Sequence, residues 1–420
     1  MSTMRTPDSK WRRRALRLVL FAEVLSMSGA QLSAVAMPWF VLETTDSSTD
    51  MGIVMAAQMA AVAVFGALGA SLTGRLGPRR VLLIADWLRG LLVALVPLLH
   101  ELGLLTLPLF MVLVFAIGCF YAPYTASQQA LLPALVGDDE ILLSRANARL
   151  QGATRLAVLL GPPAAGLFIS SLGAATVLVL DAVSYLCAAL LLSVATRRGV
   201  VAPAAPLGRS LGLGGALHVI RRDRLLSSWT IGQMLGEMGW QAMFALLPIL
   251  ALRQYGGSAT LAGVLLGAFG GGALAGTLLV GPALRRVSAV RLAVLGRVGQ
   301  TLAFAGLLFP VGALGLGVVL FTAGLLNGLS NAPIAALRTT RIPAELRSAT
   351  LTVIAAIALS GGTVGLVAAG AAAENVPIRT LFICLAGCQV LAVACFVLGA
   401  RERVAPRPGA MGPKPADPLR

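Results

Sequence analysis

The stretch from Gly66 to Arg89, GALGASLTGRLGPRRVLLIADWLR, decides how the rest of the chain is read. An apolar segment runs out into glycines and Arg75. Gly77-Pro78 then makes a turn, because proline cannot continue the helix before it. Arg79 and Arg80 open a second apolar segment that carries Asp86 and Arg89. The pattern is a tight basic hairpin between two hydrophobic helices.

The composition sets such a hairpin in a membrane. Of 420 residues, 57% are hydrophobic and 12% charged, with a mean hydropathy of +0.87. Soluble domains carry about 25% charge. A helix needs about 20 apolar residues to cross a bilayer, and this chain offers many such runs. Its net charge of +16 fits arginines gathered on the cytoplasmic side, which orient the spans. Nucleic acid is not expected as a partner, since no basic stretch lies on a soluble domain. Cys119, Cys187, Cys384, Cys388 and Cys395 all fall in apolar runs and read as small core residues, without a metal site.

Twelve spans are predicted, at 15–42, 50–74, 79–99, 105–133, 142–171 and 175–195, then 226–252, 258–282, 288–310, 313–338, 346–372 and 376–400. This is an all-α membrane fold in two six-helix halves, 15–195 and 226–400. Residues 1–14 form a cytoplasmic tail, 196–225 a cytoplasmic linker rich in Pro, Gly and Arg, and 401–420 a basic, Pro-rich disordered tail. The loops sort by sign. One side holds nearly all the loop arginines, with Arg338 counted among them. The other holds Glu43, Asp46, Asp50, Glu101 and Glu374, with Arg253 and Arg379 the only arginines. That asymmetry places both termini in the cytoplasm. The opening segment has the basic start and the Ala34-Val35-Ala36 of a signal peptide, but a repeat argues against cleavage. At a shift of 210, Gly29 meets Gly239, Gln31 meets Gln241, Pro38 meets Pro248, Gly66 meets Gly276 and Arg75 meets Arg285.

Ionisable residues inside spans are costly and mark function or pairing. They are Glu23, Asp86, Arg89, Arg155, Asp181, Glu237 and Arg297. Asp86 and Arg89, at i and i+3, share a helix face. They read either as a structural ion pair or as part of a cytoplasmic gate with Arg75, Gly77, Arg79 and Arg80. Glu23 and Glu237 lie on helices that are repeat mates. Each could load and release a proton, or simply shape a cavity. Asp181 reads as a capping or pairing residue. Polar and aromatic candidates for a cavity are Gln31, Tyr121, Gln233, Trp240, Gln241, Asn327 and Asn331. Trp39 and Tyr124 could join them or sit in an aromatic belt. Gly161-Pro162-Pro163-Ala164-Ala165-Gly166 predicts a kinked helix packed against a neighbour.

The hairpin Arg75, Gly77, Arg79, Arg80 resembles the loop between helices 2 and 3 of the major facilitator superfamily, with Gly74 at the usual acidic position and Pro78 after Gly77. Gly161, Pro162 and Gly166 resemble the superfamily exporters' helix 5 motif, associated with sealing the cavity during antiport. Leu131–Val136, Arg145-Ala146-Asn147, Gly161-Pro162-Pro163 and Asp181–Tyr185 recur in this order in the enterobactin-exporter-like branch, as do Ala85–Arg89 and the opening Leu25–Gly29. Ala30-Gln31 stands where that branch usually has an aspartate. The resemblance covers residues 12–400. It implies two pseudo-symmetric halves, with helices 1, 4, 7 and 10 around a central cavity.

The resulting expectation is a secondary active transporter in the plasma membrane. It would be a proton-coupled exporter of small amphipathic molecules, drug-like or siderophore-like, working by alternating access. A mostly apolar cavity suits such cargo better than sugars. An importer or facilitator of another solute, or a transporter-like protein that no longer transports, are the alternatives. No catalytic motif, P-loop or metal-ligand pattern is present. An enzyme is therefore not expected, nor a cofactor, and the chain would act as a monomer in the lipid bilayer, driven by the proton gradient.

Overall fold

The computed structural model describes residues 9–136, 140–196, 213–254, 256, 258–309, 312–343 and 346–401. The parts of the predicted tails at 1–8 and 402–420, and the linker from 197 to 212, lie outside the described residues. The rest is helical: α1 (Ser9–Thr45), α2 (Ser48–Leu76), α3 (Pro78–Glu101), α4 (Leu107–Cys119), α5 (Tyr121–Val136), α6 (Glu140–Leu172), α7 (Ala174–Ala195), α8 (Leu213–Arg222), α9 (Arg224–Gln254), α10 (Ala259–Leu284), α11 (Ala289–Ala305), α12 (Ala313–Arg341), α13 (Arg347–Asn375) and α14 (Ile378–Ala400). Among the described residues, 12 helical segments are long and apolar enough to cross a membrane.

Local chemistry sets the ends. Gly77 takes φ 80°, a left-handed conformation open to glycine, and Pro78 starts α3 where its missing N–H costs nothing. Ser258 and Ser288 cap α10 and α11 by accepting from the N–H groups of Leu261 and Arg291. Asp223 caps α9 through the Leu226 N–H at 3.0 Å and pairs with Arg341 at 3.1 Å.

Two departures from the sequence expectation have local causes. The fourth span is broken at Phe120 into α4 and α5. Pro123 has no N–H to give the Cys119 carbonyl, so the ladder fails there. Within the stretch read as linker, α8 forms. Its Ala216 and Ile220 are buried and its His218, Arg221 and Arg222 exposed. Ile220 packs with Leu226, Ile342 and Ile354, so α8 docks on the second half.

The two halves meet through α2 against α13 and α6 against α10. Glycines make these approaches possible. Gly52 lies against the Leu366 carbonyl and Gly370 against that of Ser48, while Gly263 and Gly267 lie against Pro162 and Pro163. In a membrane such close backbone packing replaces the hydrophobic drive available in water. One apolar cluster, including Val35, Phe40 and Val54 of the first half and Met243, Leu247 and Ala262 of the second, joins the halves near the acidic loops. Toward the basic loops the core divides. Val19, Leu82 and Leu131 cluster within the first half, and Leu225, Trp229 and Ile334 within the second. The molecule is therefore sealed on its acidic-loop side and parted on its basic-loop side.

Candidate functional site

Beneath the sealed side lies a cavity of about 430 Å³ between the halves. Gln31, Ser33 and Met37 of α1, Gln58 and Met59 of α2, Arg89 of α3, and Asp181 and Tyr185 of α7 line it from the first half. Tyr121 of α5 also reaches it, and Trp240, Gln241 and Phe244 of α9 face it from the second half. The walls are mostly apolar, with a few polar groups. Trp240 is held flat by Phe269, ring centroids 3.8 Å apart and 22° between planes. Of the cavity candidates, Gln31, Tyr121, Trp240 and Gln241 line it.

Of the other three candidates, Asn331 and Gln233 hold buried arginines and Asn327 holds Asn331. Arg297 on α11 donates to Asn331 at 2.8 Å and to Gln300 at 3.0 Å, and Asn331 donates to Asn327 at 2.7 Å. Arg338 on α12 donates to Gln233 and to the Trp229 carbonyl. Arg338 had been counted as a loop residue. It is 6% exposed, inside the bundle. Three residues before the helix end at Arg341, its long side chain turns inward rather than out to water.

Behind the first half's wall lies a polar network. Glu23 accepts from Tyr124 at 2.7 Å and from Gln128 at 2.6 Å. The Tyr124 hydroxyl is 3.3 Å from that of Ser26, which donates to Asp86 at 3.3 Å. Arg89 donates to the Tyr185 hydroxyl at 2.5 Å and lies over the rings of Tyr185 and Tyr124, at 4.4 and 5.4 Å. Asp181 accepts from Ser33 and Ser184. Tyr124 is thus a buried member of this network and not of an aromatic belt. Trp39 is 2% exposed and donates to Glu43 at 2.6 Å, away from the cavity lining.

Asp86 and Arg89, read as a mutual ion pair or a gate with the loop arginines, take different partners on α1 and α7 instead. Arg79 bonds Thr196 at the end of α7 at 2.6 Å, and Arg75 and Arg80 are exposed. The structure therefore separates the hairpin arginines from Asp86 and Arg89. Glu237 is half-buried and accepts from Gln241 at 3.1 Å. Arg155, counted among the intramembrane charges, is exposed. The helix 5 motif lies on the seam with α10. Gly161 abuts Gln31, the Pro162 carbonyl abuts Gly263, and Gly166 abuts Ala259 and Thr260. Sequence reasoning missed Gln58, Gln128 and Ser33, whose ordinary polar side chains carry no spacing signal of their own.

Comparison with known proteins places this architecture. The family model described as Major Facilitator Superfamily matches residues 19–366. The multidrug efflux pump Tap of Mycobacterium tuberculosis is 26% identical over 387 residues, 88% of this chain and 89% of that protein. Tap of Mycolicibacterium fortuitum is 30% identical over 213 residues, 50% of this chain and 52% of that protein. The nucleoside transporter NupG (D323A mutant) superposes with a TM-score of 0.76 at 12% identity, covering 92% of this chain and 99% of that one. A bacterial homologue of the iron transporter ferroportin, in an inward-facing state, gives 0.70 at 16% identity over 93% and 99%. At such identities the structural likeness speaks for the fold alone. The cavity between the halves, their pairing and the match over most of the chain agree: this is a multi-pass membrane transporter, not an enzyme, and it belongs to the major facilitator superfamily.

Proposed function

We propose that the chain is a proton-coupled exporter of small amphipathic molecules, of the drug-like or siderophore-like kind, working by alternating access in the plasma membrane. The basic-loop side is taken as cytoplasmic, with both termini there, because arginine-rich loops stay on that side during insertion. The captured conformation is then the one that receives cargo from the cytoplasm. The observation that carries this reading is the cavity, walled by methionines and aromatic rings with few polar groups. Methionine and aromatic surfaces adapt to varied apolar cargo; of the two charged groups in the lining, Arg89 is held over the rings of Tyr185 and Tyr124, which leaves the Asp181 carboxylate to favour a cationic end. The efflux pumps among its relatives support export.

Glu23 and Glu237 are the proposed proton carriers. Proton entry from outside and cargo exit would use the same sealed face in turn. The α6–α10 seam around Pro162 and Gly263 is the surface that parts when the carrier opens outward.

Efflux of ethidium and of neutral fluorescent amphipaths from cells overproducing the chain tests this reading. Efflux above the empty-vector level, collapsing when a protonophore is added, is the expected result. Efflux indifferent to the protonophore would overturn proton coupling, and none of any probe would overturn export of this cargo class.

A further inference from the structure

We infer that Glu23 and Asp86 form a single proton-holding unit, wired through the hydroxyls of Tyr124 and Ser26, and that Asp86 is a working member of the coupling machinery. The inference rests on the proton-coupled reading above and assigns its wiring. Oxygen atoms link the two carboxyls in three steps, one short and two longer. Glu23 Oε2 is 2.7 Å from Tyr124 Oη, Tyr124 Oη is 3.3 Å from Ser26 Oγ, and Ser26 Oγ is 3.3 Å from Asp86 Oδ1. All four residues are buried. A proton leaves the Glu23 carboxyl for Tyr124 Oη as Tyr124 passes its own to Ser26 Oγ and Ser26 passes its own to Asp86 Oδ1, along the direction in which Tyr124 and Ser26 donate. Each hydroxyl loses one O–H bond and gains one, and the net change is one proton moved between carboxyls.

Charge balance gives the unit its purpose. The groups facing it are Arg89 on α3, Tyr124 on α5, and Asp181 and Tyr185 on α7, with Arg145, Arg149 and Arg155 of α6 exposed. One guanidinium thus faces three carboxyls in a buried network that meets the cavity through Arg89, Asp181 and Tyr185. Buried charge is costly without a partner, so the network balances only by holding protons of its own. Arg89 is fixed between two tyrosine rings, and Asp181 reaches the cavity. A cationic cargo arriving at Asp181 supplies the missing positive charge and favours release of the held proton. The second half cannot substitute at this level, because its corresponding positions carry Gln233 and Arg338, and arginine stays protonated.

The test is a pH titration of the full-length protein in lipid nanodiscs, followed by infrared difference spectroscopy of the protonated-carboxyl stretch. Glu23→Gln is expected to remove one component. Asp86→Asn, Ser26→Ala and Tyr124→Phe are each expected to move the midpoint of the remaining Glu23 component by about one pH unit or more, the mark of coupled sites. A Glu23 component that keeps its midpoint in Asp86→Asn and Tyr124→Phe would overturn the inference. If Asp86→Asn does not fold, Ser26→Ala carries the same test, since Ser26 bonds Asp86 and reaches Glu23 only through Tyr124. Ethidium efflux by the same proteins separates the two claims. Coupled titration without efflux contradicts the exporter reading alone, and efflux with independent titration contradicts the wiring alone.

Discussion

Gln128 donates to Glu23 across 105 residues of chain, and Arg338 donates to Gln233 across the same interval. The two pairs are repeat mates, each residue standing 210 positions from its counterpart. The same geometry is thus built twice with opposite chemistry. The first half holds a carboxylate met by an amide, and the second holds an amide met by a guanidinium. At this pair of sites the scaffold has become electrically polar, with a titratable carboxyl in one half and a permanent guanidinium in the other.

The permanent charge is structural. Arg338→Met leaves Gln233 and the Trp229 carbonyl without their donor, and each such loss costs roughly 1–3 kcal/mol. A lower unfolding temperature in detergent is expected. Arg338→Lys should recover little of it, because a single ammonium cannot span both acceptors as a planar guanidinium does.

The seal depends on glycine. A side chain at Gly263 would strike the Pro162 carbonyl, so Gly263→Leu should hold the α6–α10 seam apart. Ser170 and Thr260 face each other across that seam, hydroxyls 3.0 Å apart. With the native cysteines replaced, cysteines at these two positions should cross-link readily in the parent. They should link poorly in Gly263→Leu, and cargo efflux should fall with the cross-linking.

A second fastening lies at the acidic-loop end of α13. Glu374 accepts from the Ser47 hydroxyl at 2.9 Å and from the Thr49 N–H at 3.0 Å, so a residue of the second half caps α2 of the first. The carboxylate also meets the positive end of the α2 dipole. Glu374→Ala should shift the balance toward the outward-open form by about two- to fivefold. Spin-label distances across the acidic-loop side would read this as a larger long-distance population, and an unchanged distribution would remove the latch.

Trp240 offers the cavity a flat face already held by Phe269. Trp240→Ala should weaken binding of planar aromatic cargo by about three- to tenfold. It should affect branched aliphatic cargo less, as fluorescence titration of purified protein would show.

Much of the fold was legible because its signals are local. Apolar length and Gly77-Pro78 marked the twelve spans, and Pro38 and Pro248 showed the repeat. The site was less legible because its partners come from afar. Asp86 and Arg89 share a helix face, which suggested each other as partners. Yet Ser26 lies 60 residues from Asp86, and Tyr185 lies 96 from Arg89. Tyr124 looked like a belt residue because its depth depends on the break at Phe120. Arg338 looked like a loop residue because nothing in its neighbours reveals that Gln233 waits inside.

The most direct test of proton-driven export uses purified protein in liposomes. An acid interior is imposed, a fluorescent lipophilic cation is added outside, and its accumulation is followed. Accumulation that tracks the imposed gradient and is lost in Glu23→Gln is the expected result. Equal movement with the gradient collapsed, or full gradient-driven accumulation by Glu23→Gln, would contradict it.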